Sequence, residues 1–290
     1  MIYSILLIYA GLSSHVSAAA ACSRAALQDV AATYVQAQSQ GQPSLLKLAV
    51  AVANTSSSFY YAENDKPLDI SKGVLSTPLD IDFHRSIFDT TQCATFTELT
   101  VATTTAEEHP YVIGTRILLT RDDYASKGAI IKIESVVTDA GDWAFNATGH
   151  LYWTRQEKWD AIVPEDRRDA RAVIQAAADA YLDQWADPDL PVPFTTPCAR
   201  LEGGSYTGQS NPGANTCRMP AFPQPLKVGH RRYVIDEELG AVDVFNGFPW
   251  LEATRPAEWS TPSTNFIRVE GGAIRYIHEL TVCETPQCGR

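Results

Sequence analysis

Two stretches of the chain place apolar residues at helical spacing. In Ser23–Gln40, Leu27, Val30, Ala31, Tyr34 and Val35 line one side, and Gly41 and Pro43 end the run. In Asp169–Ala186, Val173, Ile174, Ala177, Tyr181, Leu182 and Trp185 form the stripe, and Pro188 stops it. Each helix is followed by an irregular, turn-rich stretch and then by runs of strand character. Tyr111–Arg121 and Ala129–Thr138 read as strands joined through Asp122–Gly128, the second rich in the β-branched residues that strands prefer. Trp143–Trp153 reads as a further strand. Arg231–Asp236 and Ala241–Phe245 flank Glu237–Gly240, and Phe266–Glu270 and Ile274–Cys283 flank Gly271-Gly272, so both pairs read as hairpins.

A helix followed by antiparallel strands, occurring twice, predicts an α+β chain rather than an alternating βαβ one. The charged segment Glu157–Asp169, with Pro164 inside it, marks a boundary between domains 22–160 and 161–290. The expected architecture is two tandem domains of the nuclear-transport-factor-2-like (NTF2-like) or cystatin-like kind, each a helix packed on a curved antiparallel sheet. Such a domain encloses a pocket between helix and sheet. That pocket serves enzymes and binding proteins alike, so the fold alone assigns no function.

The first residues change the picture. Ile5–Leu12 is a short apolar run followed by small residues, the pattern of a cleaved secretory signal peptide over residues 1–21. The run is too short to span a bilayer and no later stretch has that length, so a secreted protein without a membrane anchor is expected. Behind an export signal, the six cysteines Cys22, Cys93, Cys198, Cys217, Cys283 and Cys288 read as disulfides. Half-chain separation and local loop closure favour the pairs Cys22–Cys93, Cys198–Cys217 and Cys283–Cys288. Asn54 and Asn146 open glycosylation sequons. The net charge of −11 and pI near 5.0 argue against a nucleic-acid binder and an anionic-membrane binder. A small apolar molecule is the expected partner, with the oligomeric state open and a homodimer among the options.

Candidate chemistry gathers in a few strings. On the last strand Ile274, Tyr276, His278, Leu280 and Val282 share one face, and Arg275, Ile277, Glu279 and Thr281 the other. A neutral imidazole at His278 can relay a proton to a buried substrate, although the pattern also fits a hydrogen-bonded core histidine. Asp80-Ile81-Asp82-Phe83-His84-Arg85 sets carboxylates beside His84, which suits acid–base work or a solvated turn. Pro197–Gly208 combines three glycines with Arg200, Glu202 and Tyr206, and reads as a ligand loop or a disulfide-pinned turn. Tyr60-Tyr61-Ala62-Glu63-Asn64 puts two aromatics beside an acid. Trp143, Phe145, Tyr152, Trp153, Phe248, Trp250 and Trp259 supply walls for a planar ligand, platforms for sugars, or plain packing. The catalytic candidates are therefore His84, His278 and Glu202. The candidate substrate contacts are Tyr61, Glu63, Asp82, Trp143, Arg200, Tyr206, Asn265 and Tyr276. No nucleophile elbow, zinc-binding helix, dinucleotide fingerprint or phosphate loop occurs, and no metal or cofactor is expected.

Several strings together resemble the DUF8021 family of secreted fungal proteins. They are Cys22-Ser23-Arg24, Tyr61-Ala62-Glu63-Asn64, Cys93–Leu99, His109–Gly114 and Gly141-Asp142-Trp143, then Pro197–Gly208, Arg231–Glu237 and Phe266–Cys283. The chain departs from the family pattern at Thr264-Asn265, where a Ser-His pair normally stands, which puts histidine chemistry at that spot in doubt. Within the family the resemblance points to hetero-Diels–Alderases of tropolone–sesquiterpenoid pathways. These dehydrate a hydroxymethyl tropolone to an o-quinone methide, which adds to a humulene-type alkene without a cofactor. A secreted carbohydrate-active lyase or hydrolase and a non-catalytic binding protein are the competing readings.

Overall fold

The computed structural model describes residues 22–49, 59–103, 109–121, 128–159, 161–222, 225–249 and 260–288. The expected leader, the sequon at Asn54, and Trp250 and Trp259 lie outside the described residues. The first half holds helix α1 (Arg24–Gln40) and strands β1 (Tyr60–Glu63), β2 (Lys66–Pro67), β3 (Phe83–Asp89), β4 (Ala94–Val101), β5 (Tyr111–Leu119) and β6 (Ile130–Thr138). Helix α2 (Ala147–Gln156) follows. The second half holds helix α3 (Arg171–Asp183) and strands β7 (Phe194–Glu202), β8 (Ser205–Tyr206), β9 (Gly229–Asp236), β10 (Ala241–Phe248), β11 (Thr261–Glu270) and β12 (Ala273–Thr281).

The fold is mixed α+β with two six-stranded sheets, ordered β2-β1-β6-β5-β4-β3 and β8-β7-β12-β11-β10-β9. The second order repeats the first six strands later. In each sheet one neighbouring pair is parallel, β1 with β6 and β7 with β12, and the others are antiparallel. The coarse repeat in the sequence is thus a repeat in space.

Helix α1 starts where Ser23 accepts the Ala26 N–H, and it ends at Gly41, whose φ of 61° suits a residue without Cβ. Its buried side, Leu27, Ala31, Tyr34 and Ala37, covers the first sheet, where Leu27, Tyr34 and Ala37 pack with Leu99, Ile113, Ile117 and Ile133. In the second half Ile174, Ala177, Tyr181 and Leu182 of α3 pack with Val242, Val244, Ile267 and Ile277. A third cluster joins the halves. Alternation along β4 sends Leu99 and Val101 toward α1 and Ala94 and Phe96 toward the second sheet. Phe96 meets Phe266 with ring centroids 5.0 Å apart. The order of layers is therefore helix, sheet, sheet, helix. The sheets approach closely at Gly114, where an added Cβ would stand 3.0 Å from Thr264 Cγ2 and 3.1 Å from Phe96 Cε2. Gly114→Ala is expected to cost about 1–3 kcal/mol of stability by overpacking. Urea unfolding checks this, and an unchanged midpoint would mean that Thr264 and Phe96 give way freely.

The halves are locked together reciprocally. Asp89 at the end of β3 takes both guanidinium nitrogens of Arg171 at the start of α3, at 2.8 and 2.6 Å, and the Ile235 N–H at 2.9 Å. Asp236 at the end of β9 takes Arg24 at the start of α1 at 2.7 Å and the Phe88 N–H at 3.0 Å. Each half thus offers the other the same aspartate and the same arginine, the relation found across an isologous dimer interface.

The segment expected as a strand over Trp143–Trp153 is instead the approach to α2 and most of that helix. Asn146 accepts the Gly149 N–H at 2.9 Å, and Ala147, His150, Leu151 and Thr154 are buried at helical spacing. On the last strand Tyr276, Leu280 and Val282 share the inter-sheet cluster and the His278 ring lies 6.2 Å from Phe266 there, but Ile274 packs on the α3 side. The register shift between Arg268 and Val269 breaks the expected alternation there. The disulfides are Cys22–Cys93, Cys198–Cys217 and Cys283–Cys288, as read from the spacing. Among the described residues no helix is long and apolar enough to cross a membrane. Three disulfides fit an oxidising, secreted or extracellular setting.

Candidate functional site

Strand register builds one polar row on the α3 side of the second sheet. Asn265 on β11 lies opposite Glu279 on β12, and Glu279 lies opposite Glu202 on β7. Residues directly opposite share a face, so the amide and the two carboxyls stand side by side. Arg200, two residues before Glu202 on the same face, brings its Nε within 3.1 Å of Glu202 Oε1. Tyr181 comes down from α3 beside Arg200. The surrounding wall is aromatic. Trp185 packs 4.7 Å from Phe248 and 5.5 Å from Phe222, Tyr181 lies 6.4 Å from Phe194, and Trp143 lies 6.3 Å from Phe248.

This row differs from its counterpart in the first half. There the equivalent positions are Glu63, Ser135 and Thr115. Tyr34 bonds Thr115 at 2.7 Å, Thr115 bonds Ser135 at 2.9 Å, and Glu63 takes the Tyr61 hydroxyl and the Val74 N–H. Leu75, 1% exposed, fills the space beneath α1. This space between α1 and the first sheet, the first cup, is closed by its own side chains. In the space between α3 and the second sheet, the second cup, Asn265 donates to Asn246 Oδ1 at 2.8 Å, while Asn265 Oδ1 and Trp185 Nε1, like Gln38 Oε1 on α1, are buried without a hydrogen-bond partner among the described residues.

Burial pushes the Glu279 carboxyl up, the charge of Glu202 adds to this, and the group reaches about 8. At neutral pH Glu279 is therefore a neutral acid. Thr281 donates to Glu279 Oε1 at 2.9 Å, which leaves Oε2 to carry the proton. Two carboxyls at adjacent positions, one of them raised, make an arrangement that general acid–base catalysis can use.

A second polar group lies between the sheets. His278 Nδ1 is 2.9 and 3.1 Å from the Glu98 oxygens, and His278 Nε2 is 2.6 Å from Glu157 Oε2. Trp159 Nε1 donates to the same Glu157 oxygen at 2.6 Å, and Arg85 lies 4.6 Å over the Trp159 ring. His150 on α2 reaches Thr100 through Nδ1 at 3.1 Å and faces Glu98 with Nε2 at 3.8 Å. Desolvation lowers His278, but Glu98 and Glu157 outweigh it and hold it at about 9. Desolvation raises Glu98, but His278 and His150 hold it at about 2. Desolvation brings His150 down to about 4. Ligating atoms of Glu98, His150 and His278 lie within 4.8 Å of one another, so among the described residues this is where a metal would find donors. Both His278 nitrogens are already committed to carboxylates, which fits an ion-pair network joining the halves.

The network sets a pH optimum for stability. His278 holds its proton above the ordinary value of 6.5, so its contribution is complete below about 6.5 and lost as pH rises through about 9. His150 and Glu98 are lowered, so theirs are complete above their ordinary values and lost as pH falls through about 4 and about 2. Glu279 and Asp243 are raised, so their contributions are complete only below the ordinary carboxylate values and are lost as pH rises, that of Glu279 through about 8. The test is therefore a difference. The urea midpoint of His278→Gln is expected to fall less between pH 6.5 and 9 than that of the wild type. Parallel curves would contradict the assignment.

The structure scatters the other residues expected at a site. His84 is exposed on edge strand β3, and Asp82 accepts the Ala102 and Thr103 N–H groups at 2.8 Å. Tyr61 and Glu63 sit in the closed first cup. Tyr276 stacks on Trp159 at 5.9 Å between the sheets, and Tyr206 stacks on Trp153 at 4.4 Å. His278 belongs to the inter-sheet network, while Glu202, Arg200, Asn265 and Trp143 gather around the second cup. Sequence reasoning missed Glu279 and Tyr181, and Glu98, His150 and Glu157. For Glu279 the signal was present, because alternation places it opposite His278 and beside Ile277 and Thr281.

Residues 167–281 match a family model described as "Domain of unknown function (DUF8021)". The match runs from just before α3 to the end of β12 and so contains the whole polar row. It supports the family that the quoted strings imply. No curated protein matches the chain.

Proposed function

We propose that the second cup is an active site in which the Glu202–Glu279 pair dehydrates an apolar, hydroxylated aromatic alcohol, and the aromatic wall holds the product against a second apolar partner. The observation that carries this reading is the row Asn265–Glu279–Glu202, two carboxyls in register on a buried, helix-covered face. Glu279 gives its proton to the departing hydroxyl as the carbon–oxygen bond breaks and water leaves. Glu202 takes the proton of the substrate's remaining hydroxyl, which yields a neutral quinone methide. The proton then returns from Glu202 to its neighbour Glu279. The cycloaddition that follows moves no proton and needs only orientation, worth roughly 7–11 kcal/mol in favourable cases. A water-poor aromatic wall protects the methide from hydration.

With the family resemblance, the reaction is a hetero-Diels–Alder addition of a tropolone o-quinone methide to a humulene-type sesquiterpene. The acid role moves from the histidines to Glu279, because His278 is held by two carboxylates and His84 faces solvent. A long helix laid on a sheet in each half supports the NTF2-like or cystatin-like reading of the units. Incubation with an o-quinone-methide precursor and humulene is expected to give faster adduct formation and one stereoisomer in excess. An unchanged rate and a racemic adduct would remove the proposal.

A further inference from the structure

We infer that Asn146 carries an N-linked glycan whose first sugars lie in a cleft against Tyr206. Asn146-Ala147-Thr148 is a sequon, and Asn146 is exposed at the start of α2. Its Oδ1 accepts the Gly149 N–H at 2.9 Å. A glycan attaches at the amide nitrogen and leaves the carbonyl oxygen in place, so modification preserves the helix cap. Transfer from a lipid-diphosphate-linked oligosaccharide forms the bond from Nδ2 to sugar C1 and breaks the C1–phosphate bond. The amide proton leaves with the lipid diphosphate.

Two glycines let the backbone pass closely beside this residue. A Cβ on Gly204 would overlap Asn146 O and stand 2.5 Å from its Cβ, and one on Gly149 would stand 2.7 Å from Gly204 O and 2.8 Å from Asn146 Nδ2. The cleft beside them is lined by Ala144, Phe145, Gly204, Ser205, Tyr206 and Gln209. Tyr206 is fixed there by its stack on Trp153, with the rings 13° from parallel. A held aromatic ring suits the C–H face of a sugar, and Ser205 and Gln209 offer hydrogen bonds to an N-acetyl group. Gly204 also bonds Ala144 O at 3.0 Å, and Gly203 bonds Glu279 O at 2.9 Å. A glycan seated here braces the turn that follows Glu202.

The test uses the full chain secreted from a eukaryotic host. Peptide mapping after amidase treatment in heavy-oxygen water is expected to find Asn146 converted to a labelled aspartate. Thr148→Ala removes the sequon and leaves the Asn146 cap. Glycosylated wild type is expected to melt a few degrees above this variant, and the two are expected to melt together when both are made in a host that adds no glycan, which leaves the Asn146 cap in each. Tyr206→Ala is expected to speed endoglycosidase trimming of the native protein at Asn146 severalfold. An unmodified Asn146 overturns the inference outright. An occupied Asn146 with equal melting and unchanged trimming overturns the seat against Tyr206.

Discussion

Glu279→Gln is expected to lower turnover of an o-quinone-methide precursor by about 10²–10⁴-fold, the usual contribution of a positioned acid. The substitution keeps the shape of the side chain and the oxygen that accepts from Thr281. It removes the one proton the departing hydroxyl needs. Binding of the precursor, read from the KM, should change far less than kcat, because the lost interaction is made chiefly in the transition state. The wild-type rate should fall as pH rises through about 8, where Glu279 loses its proton. In Glu279→Gln that alkaline fall should vanish. A variant that keeps wild-type kcat, or keeps the same alkaline limb, would move the acid elsewhere.

Asp89→Ala is expected to cost about 3–5 kcal/mol of folding stability, the range for breaking a buried ion pair. The Asp89 side chain is fully buried and accepts from Thr91 N, Gln92 N and Ile235 N as well as from both Arg171 nitrogens. Removing it strands three backbone donors and one guanidinium at the junction of the halves. The reciprocal design makes a second demand. Asp236→Ala should cost a comparable amount, because Asp236 accepts from Arg24, Phe88 N, Glu238 N and Leu239 N in the mirrored position. Urea unfolding of the single variants checks both. A loss under about 0.5 kcal/mol, the size of an ordinary surface change, would show that these two aspartate clamps do not hold the halves together.

Local chemistry made much of this legible in the sequence. The stripes of α1 and α3 and the glycines of the two late hairpins are short-range patterns, and each appears near its expected place. Local loop closure, with the separation of the half-chains, paired the cysteines as they are found. Helix α2 was hidden because Phe145, Tyr152 and Trp153 favour strands by propensity, while packing decided the outcome through Ala147, His150 and Thr154. Tyr152 is 57% exposed, so its strand propensity was free to be ignored. The layering was not legible, since nothing local to β4 says whether Phe96 and Glu98 face solvent or a second sheet. Glu98 and His278 meet across 180 residues, a juxtaposition that only the tertiary fold creates. Glu279 was visible as a face but not as a site. Its importance depends on Glu202 arriving from the parallel neighbour β7, which no spacing encodes.

A ¹³C-carboxyl NMR titration of the glutamate-labelled protein, with Glu279→Gln to identify the resonance, reaches the centre of the proposal. The Glu279 carboxyl is expected to remain protonated at pH 7 and to titrate near 8. A Glu279 resonance that is already ionised at pH 7 and titrates near 4.5, the ordinary glutamate value, would leave the second cup without its acid.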